Sequence, residues 1–207
     1  MTTLSPLDHR DGPTDGAPPG IAPAVAELQR VLLGVRDDQL DAPTPCAATS
    51  VGGLLDHLLG LTHAFRLAAE KQPMPDAGPA SAATLPAIWR ALLPHQLDAL
   101  AQAWAAPSAW VDAPGEHRGP MPADVLGLMA LSEVLVHGWD LAVATGQQYH
   151  PDPVAADLCL SFLVDYESAA SDDFGGRYAP RVPVSGDAPL FDRVLGQTGR
   201  DPDWAPA

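Results

Sequence analysis

Two residues able to do chemistry sit four positions apart near the middle of the chain. They are Glu133 and His137, within Ala130-Leu131-Ser132-Glu133-Val134-Leu135-Val136-His137-Gly138-Trp139-Asp140-Leu141. That spacing places both on one face of an α-helix. The stretch is apolar almost all the way round, the pattern of a buried helix. A carboxylate in such a helix is costly unless paired, protonated or bound to a metal, and an imidazole one turn along offers a second ligand. The first place to look for a third ligand is Leu54-Leu55-Asp56-His57-Leu58-Leu59-Gly60, another strongly apolar helical stretch carrying a histidine. His57, Glu133 and His137 are therefore the candidate ligands of a divalent metal. A His2Glu set with vacant positions is the form expected of a catalytic zinc site, and the same ligand types suit nickel or iron. The competing reading is a buried Glu133/His137 ion pair with His57 as a satisfied core histidine. Asp140, one turn beyond His137, is either an acceptor for the other ring nitrogen or a solvated helix-end residue.

The elements that must position these residues read as helices. With 207 residues the chain suffices for one compact core. Residues 1–20 are rich in Pro, Gly and Asp without an apolar period and are expected to form a disordered leader, with a helical-bundle domain over 21–207. Ile21, Val25, Leu28, Leu32 and Val35 recur at helical spacing and give a first helix that ends before Pro43. Thr49 or Ser50 caps a second helix carrying Val51 to Phe65 and ending near Gln72-Pro73. Gly53, Gly60 and Ala64 flank His57 on its own face, for close helix packing or for room for a ligand. A third helix is expected over Leu85 to Trp104, kinked or split by Pro94. The connector over 107–120 has room for a short hairpin. The fourth helix starts around Pro122 and ends with Gly146 just past its terminus. Asp152-Pro153 opens a fifth helix on which Val154, Leu158, Phe162 and Tyr166 are spaced to pack. An irregular segment follows, with Phe174, Arg177, Tyr178 and Arg181 placed to fold over a pocket. Asp187 is expected to cap a last short helix, so that about 150–207 forms a C-terminal extension. With no strand run and no repeat, the fold class is all-α, a helical bundle.

Composition excludes several function classes. Twenty-six acidic residues against 11 basic ones give a formal charge of -15, which argues against a nucleic-acid or anionic-membrane partner. No charged segment precedes an apolar one at the N-terminus, and the one long apolar helix is interrupted by Glu133, His137 and Asp140, so a cytoplasmic protein is expected. Cys46 and Cys159 are too few for a disulfide framework and are expected to be reduced. Cys46 as a nucleophile has no histidine in a recognisable motif with it.

Thr44-Pro45-Cys46, Leu54-Leu55-Asp56-His57-Leu58, and Glu133-Val134-Leu135-Val136-His137-Gly138-Trp139-Asp140-Leu141 followed by Ala144-Thr145-Gly146 together resemble the DinB-like metal-binding superfamily. More narrowly they are similar to the branch around the mycothiol-dependent maleylpyruvate isomerase N-terminal domain. Ala188-Pro189-Leu190-Phe191-Asp192-Arg193 and Thr198-Gly199-Arg200-Asp201-Pro202 resemble the tail of that branch. The resemblance implies a four-helix bundle with a divalent metal held by His57 of the second helix and Glu133 and His137 of the fourth, the trio also reached from spacing. It implies a metal, usually zinc, that takes the thiolate of a low-molecular-weight thiol such as mycothiol. The chain departs from the pattern at Thr49-Ser50-Val51-Gly52-Gly53, where the family usually has a Trp followed by Thr-Val-Arg-Asp.

The function expected is a metal-dependent thiol transferase or isomerase acting on a small electrophilic substrate, as a monomer or homodimer. Two alternatives stand beside it: a non-catalytic metal- or small-molecule-binding protein of the same fold, and a cyclase-like biosynthetic enzyme reusing the pocket with or without metal. Arg177 and Arg181 are candidates to bind a substrate carboxylate, and His117 is a candidate pocket residue.

Overall fold

The computed structural model describes residues 20–75, 80–112, 121–169 and 178–206, without the side chains of 166–169. The expected leader, apart from Gly20, lies outside the described residues, as do His117, Phe174, Arg177 and the side chain of Tyr166. The described residues contain six α-helices: α1 (Ala22–Gly34), α2 (Val51–Ala69), α3 (Trp89–Trp104), α4 (Ala123–Ala144), α5 (Pro153–Ala169) and α6 (Leu190–Gln197). Among the described residues there is no strand, only an isolated antiparallel bridge between Pro43 and Ser50.

The first four helices form a bundle in which α1 and α2 each pack against both α3 and α4. On its outer side α4 also meets α5, which in turn packs on α6. Flanked from three directions, α4 is buried along its whole length: every residue from Ala123 to Ala144 is buried except Glu133 and Val143. This explains why its sequence is apolar all round rather than striped. By length and composition α4 could cross a membrane, but 94% of its apolar window is buried inside the bundle, as in a core helix.

Local chemistry sets the ends of the helices. Ser50 caps α2, its Oγ accepting the Gly53 N–H at 3.2 Å. Asp152 takes the Ala155 N–H at 2.8 Å ahead of Pro153. Gly146 adopts φ +72° just past α4, a conformation that favours glycine.

Three expectations need correction, and the connector is described in part. The third helix starts at Trp89, because Pro86 holds Leu85 extended (ψ 117°) and leaves Ile88 exposed. From there it continues through Pro94 as one helix. In the connector, Pro107–Trp110 is a 3-10 turn, whose Trp110 donates to the Trp104 carbonyl at 2.8 Å and packs edge-on against its ring; residues 113–120, the rest of the stretch with room for a hairpin, lie outside the described residues. Asp187 does not cap α6. It lies two residues upstream of the N-cap position, which Pro189 holds, and accepts from the Ser185 hydroxyl instead. On α5, Leu158 and Phe162 are buried, but Val154 is exposed in the first turn.

Candidate metal centre

The packing of α2 on α4 brings His57 to Glu133 and His137. His137 Nε2 is 2.9 Å from Glu133 Oε2, and His57 Nε2 is 3.6 Å from the same oxygen. The two imidazole rings stand perpendicular, at 89°, with centroids 5.1 Å apart. One donor atom from each of the three residues lies within 4.8 Å of the others. Two ligands on one tetrahedral zinc, each at about 2.0–2.1 Å, stand about 3.4 Å from one another, so the observed spacings bracket what such an ion requires. The donor set, two imidazoles and a carboxylate, also fits.

The site opens at one end. Glu133 is the only residue in the middle of α4 that is not buried, its side chain 13% exposed, and the His57 side chain is 42% exposed. One turn along α2 from His57, a Cβ placed on Gly60 would meet nothing within 4 Å. Gly60 thus leaves open space, whereas a Cβ on Gly53 would come into ordinary contact with Thr49, Ser50 and Ala82. Asp56 anchors the neighbouring turn, its Oδ2 accepting from the Ser81 N–H at 3.0 Å and the Thr84 hydroxyl at 2.8 Å.

Behind His137 the arrangement is closed. Asp140 is fully buried, and its Oδ2 is 2.8 Å from His137 Nδ1. Arg200, 4% exposed, donates from Nη2 to Asp140 Oδ2 at 3.0 Å. Burial alone would push the His137 pKa down, but hydrogen bonds to Asp140 and Glu133 outweigh it and carry it up to about 10. Burial alone would raise the Glu133 carboxyl, yet its bonds to His137 and His57 hold it well below the usual range. Two carboxylates, buried Asp140 and partly exposed Glu133, thus demand positive charge at this imidazole. A proton meets the demand in the absence of metal, and a divalent cation at Nε2 would meet it in the proton's place.

Glycine at 138 is required by packing. The Tyr149 hydroxyl donates to the Leu135 carbonyl at 2.8 Å, so a Cβ on Gly138 would stand 2.8 Å from that oxygen and 2.9 Å from the ring. Trp139 and Met129 are buried, as core residues.

Cys46 is half-buried in a turn whose Thr44 hydroxyl donates to the Thr49 carbonyl at 2.8 Å. Its sulfur lies within 4.8 Å of donor atoms of His137 and Asp140. Each nitrogen of the His137 ring, however, is already within 2.9 Å of a carboxylate oxygen, which leaves neither to act as a base for the thiol. Cys159 is buried, which raises its pKa and keeps the thiol protonated.

Of the candidate substrate residues, Arg181 is exposed on the segment leading to α6, next to Val182, whose N–H pairs with the Gly196 carbonyl. The arginine brought to the site is Arg200. Its only sequence signal is the Gly199-Arg200-Asp201-Pro202 motif. A second contact without a sequence signal joins Ser132 Oγ and the Tyr178 hydroxyl at 2.7 Å, on the turn preceding Glu133. A separate open groove of about 530 Å³ lies between α2 and α3, lined by His63, Arg66, His95 and Gln96 among others. None of the trio lines it.

A family model described as the mycothiol maleylpyruvate isomerase N-terminal domain matches residues 21–142, more than half of the chain. Two uncharacterised proteins of Mycobacterium tuberculosis, from strains CDC 1551 / Oshkosh and ATCC 25618 / H37Rv, are each 28% identical over 173 residues. The alignment covers 82% of this chain and 90% of each relative. No solved structure matches the chain. The matched segment contains α1 to α3 and nearly all of α4, the helices that carry and enclose the trio, and the chain belongs to the mycothiol maleylpyruvate isomerase N-terminal domain family, a DinB-like, generally metal-binding group.

Proposed function

We propose that the protein is a metal-dependent thiol transferase or isomerase, in which His57, Glu133 and His137 hold a divalent cation, zinc in the first instance. The observation that carries the reading is the convergence of three donor side chains at the one place where the middle of α4 is open. A bound divalent cation supplies Lewis acidity, which lowers the pKa of a thiol or water so that an anionic nucleophile forms at neutral pH.

The chain's own residues do the rest. Asp140 accepts from His137 Nδ1 and orients the ring so that Nε2 faces Glu133. Glu133 contributes one negative charge, so the trio leaves a divalent cation with net positive charge for an anionic thiol. The open space over Gly60, beside half-exposed His57, is the side from which a small electrophile reaches the nucleophile. Family membership supports a low-molecular-weight thiol of the mycothiol type as co-substrate. The two cysteines, neither of them in a disulfide, fit a cytoplasmic setting where such thiols are reduced.

One observation favours a second reading, in which the bundle binds metal or a small molecule without mycothiol-dependent turnover. At Gly52, within the segment that departs from the family pattern, an added Cβ would meet Ala82 at 3.0 Å and the Leu40 carbonyl at 3.2 Å, so the local packing here is built for glycine and not for a larger side chain. Thermal-shift titration of the metal-loaded protein with mycothiol, glutathione and cysteine separates the two. Selective stabilisation by mycothiol, absent in His57→Ala while helicity is retained, supports the enzyme reading. No shift with any thiol would refute thiol dependence.

A further inference from the structure

Arg200 lies outside the segment matched by the family model and 60 residues from Asp140 in sequence, yet its guanidinium is buried against the back of the site. Nη2 donates to Asp140 Oδ2 at 3.0 Å, Nε reaches Oδ1 at 3.4 Å, and Nη1 donates to the Thr198 carbonyl at 2.7 Å. Gly199 makes this approach feasible: at φ +75°, a Cβ there would stand 2.5 Å from the Ala179 carbonyl oxygen. Asp140 Oδ2, the oxygen that Arg200 shares, is also the one at His137 Nδ1.

We propose that Arg200 is a positioning residue for the metal centre, acting through Asp140 to set the orientation of the His137 ring. The proposal rests on the metal-binding reading above. A guanidinium fork touching both carboxylate oxygens fixes the plane of the carboxylate, which a single point contact does not. That plane fixes the direction of Nδ1–H, and through the rigid ring the direction of Nε2, which faces Glu133 and His57. The C-terminal segment after α6 thereby completes the back of a site whose three donors all come from α2 and α4.

Two other roles for Arg200 give different results. A simple clamp for the C-terminal segment would affect stability but leave metal affinity in the folded protein unchanged. A charge that merely repels a cation would make removal of Arg200 tighten metal binding. Positioning requires that removal weaken it, and that the loss pass through Asp140.

The test uses Co²⁺, whose visible absorption reports ligand geometry, with the full chain as wild type, Arg200→Met, Arg200→Lys, Asp140→Asn and the Asp140→Asn/Arg200→Met double variant. Helicity is checked by circular dichroism, and affinity is measured by chelator competition. Arg200→Met is expected to bind Co²⁺ about tenfold more weakly, the lower end for residues behind a metal ligand, with an altered visible band. Arg200→Lys, which keeps the charge without the fork, falls between it and wild type. The double variant binds no more weakly than Asp140→Asn alone. Unchanged or tighter binding in Arg200→Met, or losses that multiply in the double variant, would overturn the proposal. If Arg200→Met does not fold, Arg200→Lys alone and combined with Asp140→Asn carries the same comparison. A wild type that takes no Co²⁺ overturns the metal reading and this inference together, whereas one that binds but ignores Arg200 overturns the inference alone.

Discussion

Asp140→Asn is the most informative single perturbation, because the carboxylate it removes serves two buried cationic partners. In the metal-free protein Asp140 is fully buried, with His137 Nδ1 at 2.8 Å and Arg200 Nη2 at 3.0 Å. Arg200 is 4% exposed and, among the described residues, would keep the Thr198 carbonyl as its other acceptor. Breaking a buried pair by removing one partner costs about 3–5 kcal/mol, because the other charge is left uncompensated. Asparagine retains one acceptor oxygen, which places the expected loss near the lower end, about 3 kcal/mol. For a chain of this size that corresponds to a fall in Tm of about 6–12 °C. Urea denaturation with a chelator present, so that metal linkage does not contribute, measures the loss directly. Replacing the carboxylate and the guanidinium together with apolar residues, Asp140→Leu with Arg200→Met, should cost less than the single change, since the buried guanidinium is then not stranded and His137 keeps Glu133 at 2.9 Å. A loss below about 1 kcal/mol in Asp140→Asn would refute the view that this carboxylate holds the two cations.

Three further outcomes are expected. Gly138→Ala pushes a methyl group into the Tyr149 ring, 2.8–2.9 Å away, and should destabilise by about 1–3 kcal/mol through overpacking, read by urea denaturation; no change would mean that Tyr149 moves aside freely. Ser50→Ala removes the N-cap bond of α2 and should cost about 1 kcal/mol, with glycine at that position costing less. Because the His137 pKa is raised to about 10 in the metal-free protein, the proton must leave when metal binds, so apparent metal affinity should rise as pH increases. The expected slope is about tenfold per pH unit at pH values below that raised pKa, for one proton released, and it flattens as the pH approaches it. Calorimetry in buffers of different ionisation enthalpy counts that proton, and a pH-independent affinity would contradict the assignment of His137 as a ligand.

Much of the fold was legible because periodicity reports burial directly. An apolar helix carrying a carboxylate and an imidazole at a spacing of four marked α4, and the cap and proline signals placed α2 and α5 near their observed starts. The errors have local causes. Pro86 delays α3 despite the apolar period beginning at Leu85, and Asp187 is near the start of α6 but two residues too early to reach its free amides. At the site, the Glu133/His137 pairing follows from helical geometry, while the approach of His57 depends on how α2 packs against α4. The contact between Arg200 and Asp140 left no periodic trace, because a buried ion pair between distant segments is specified by tertiary packing alone. The same holds for Ser132 and Tyr178, two ordinary polar residues that share one buried hydrogen bond.

Whether the trio holds a metal is read most simply from metal content by elemental analysis, on protein prepared without added metal or a histidine tag, beside His137→Ala. A metal centre at His57, Glu133 and His137 requires about one zinc, iron or nickel per chain in the wild type and its loss in the variant, with both helical. A folded wild type without metal, unable to take up zinc or cobalt when supplied, would contradict it and leave the trio as a buried ion pair with a neighbouring histidine.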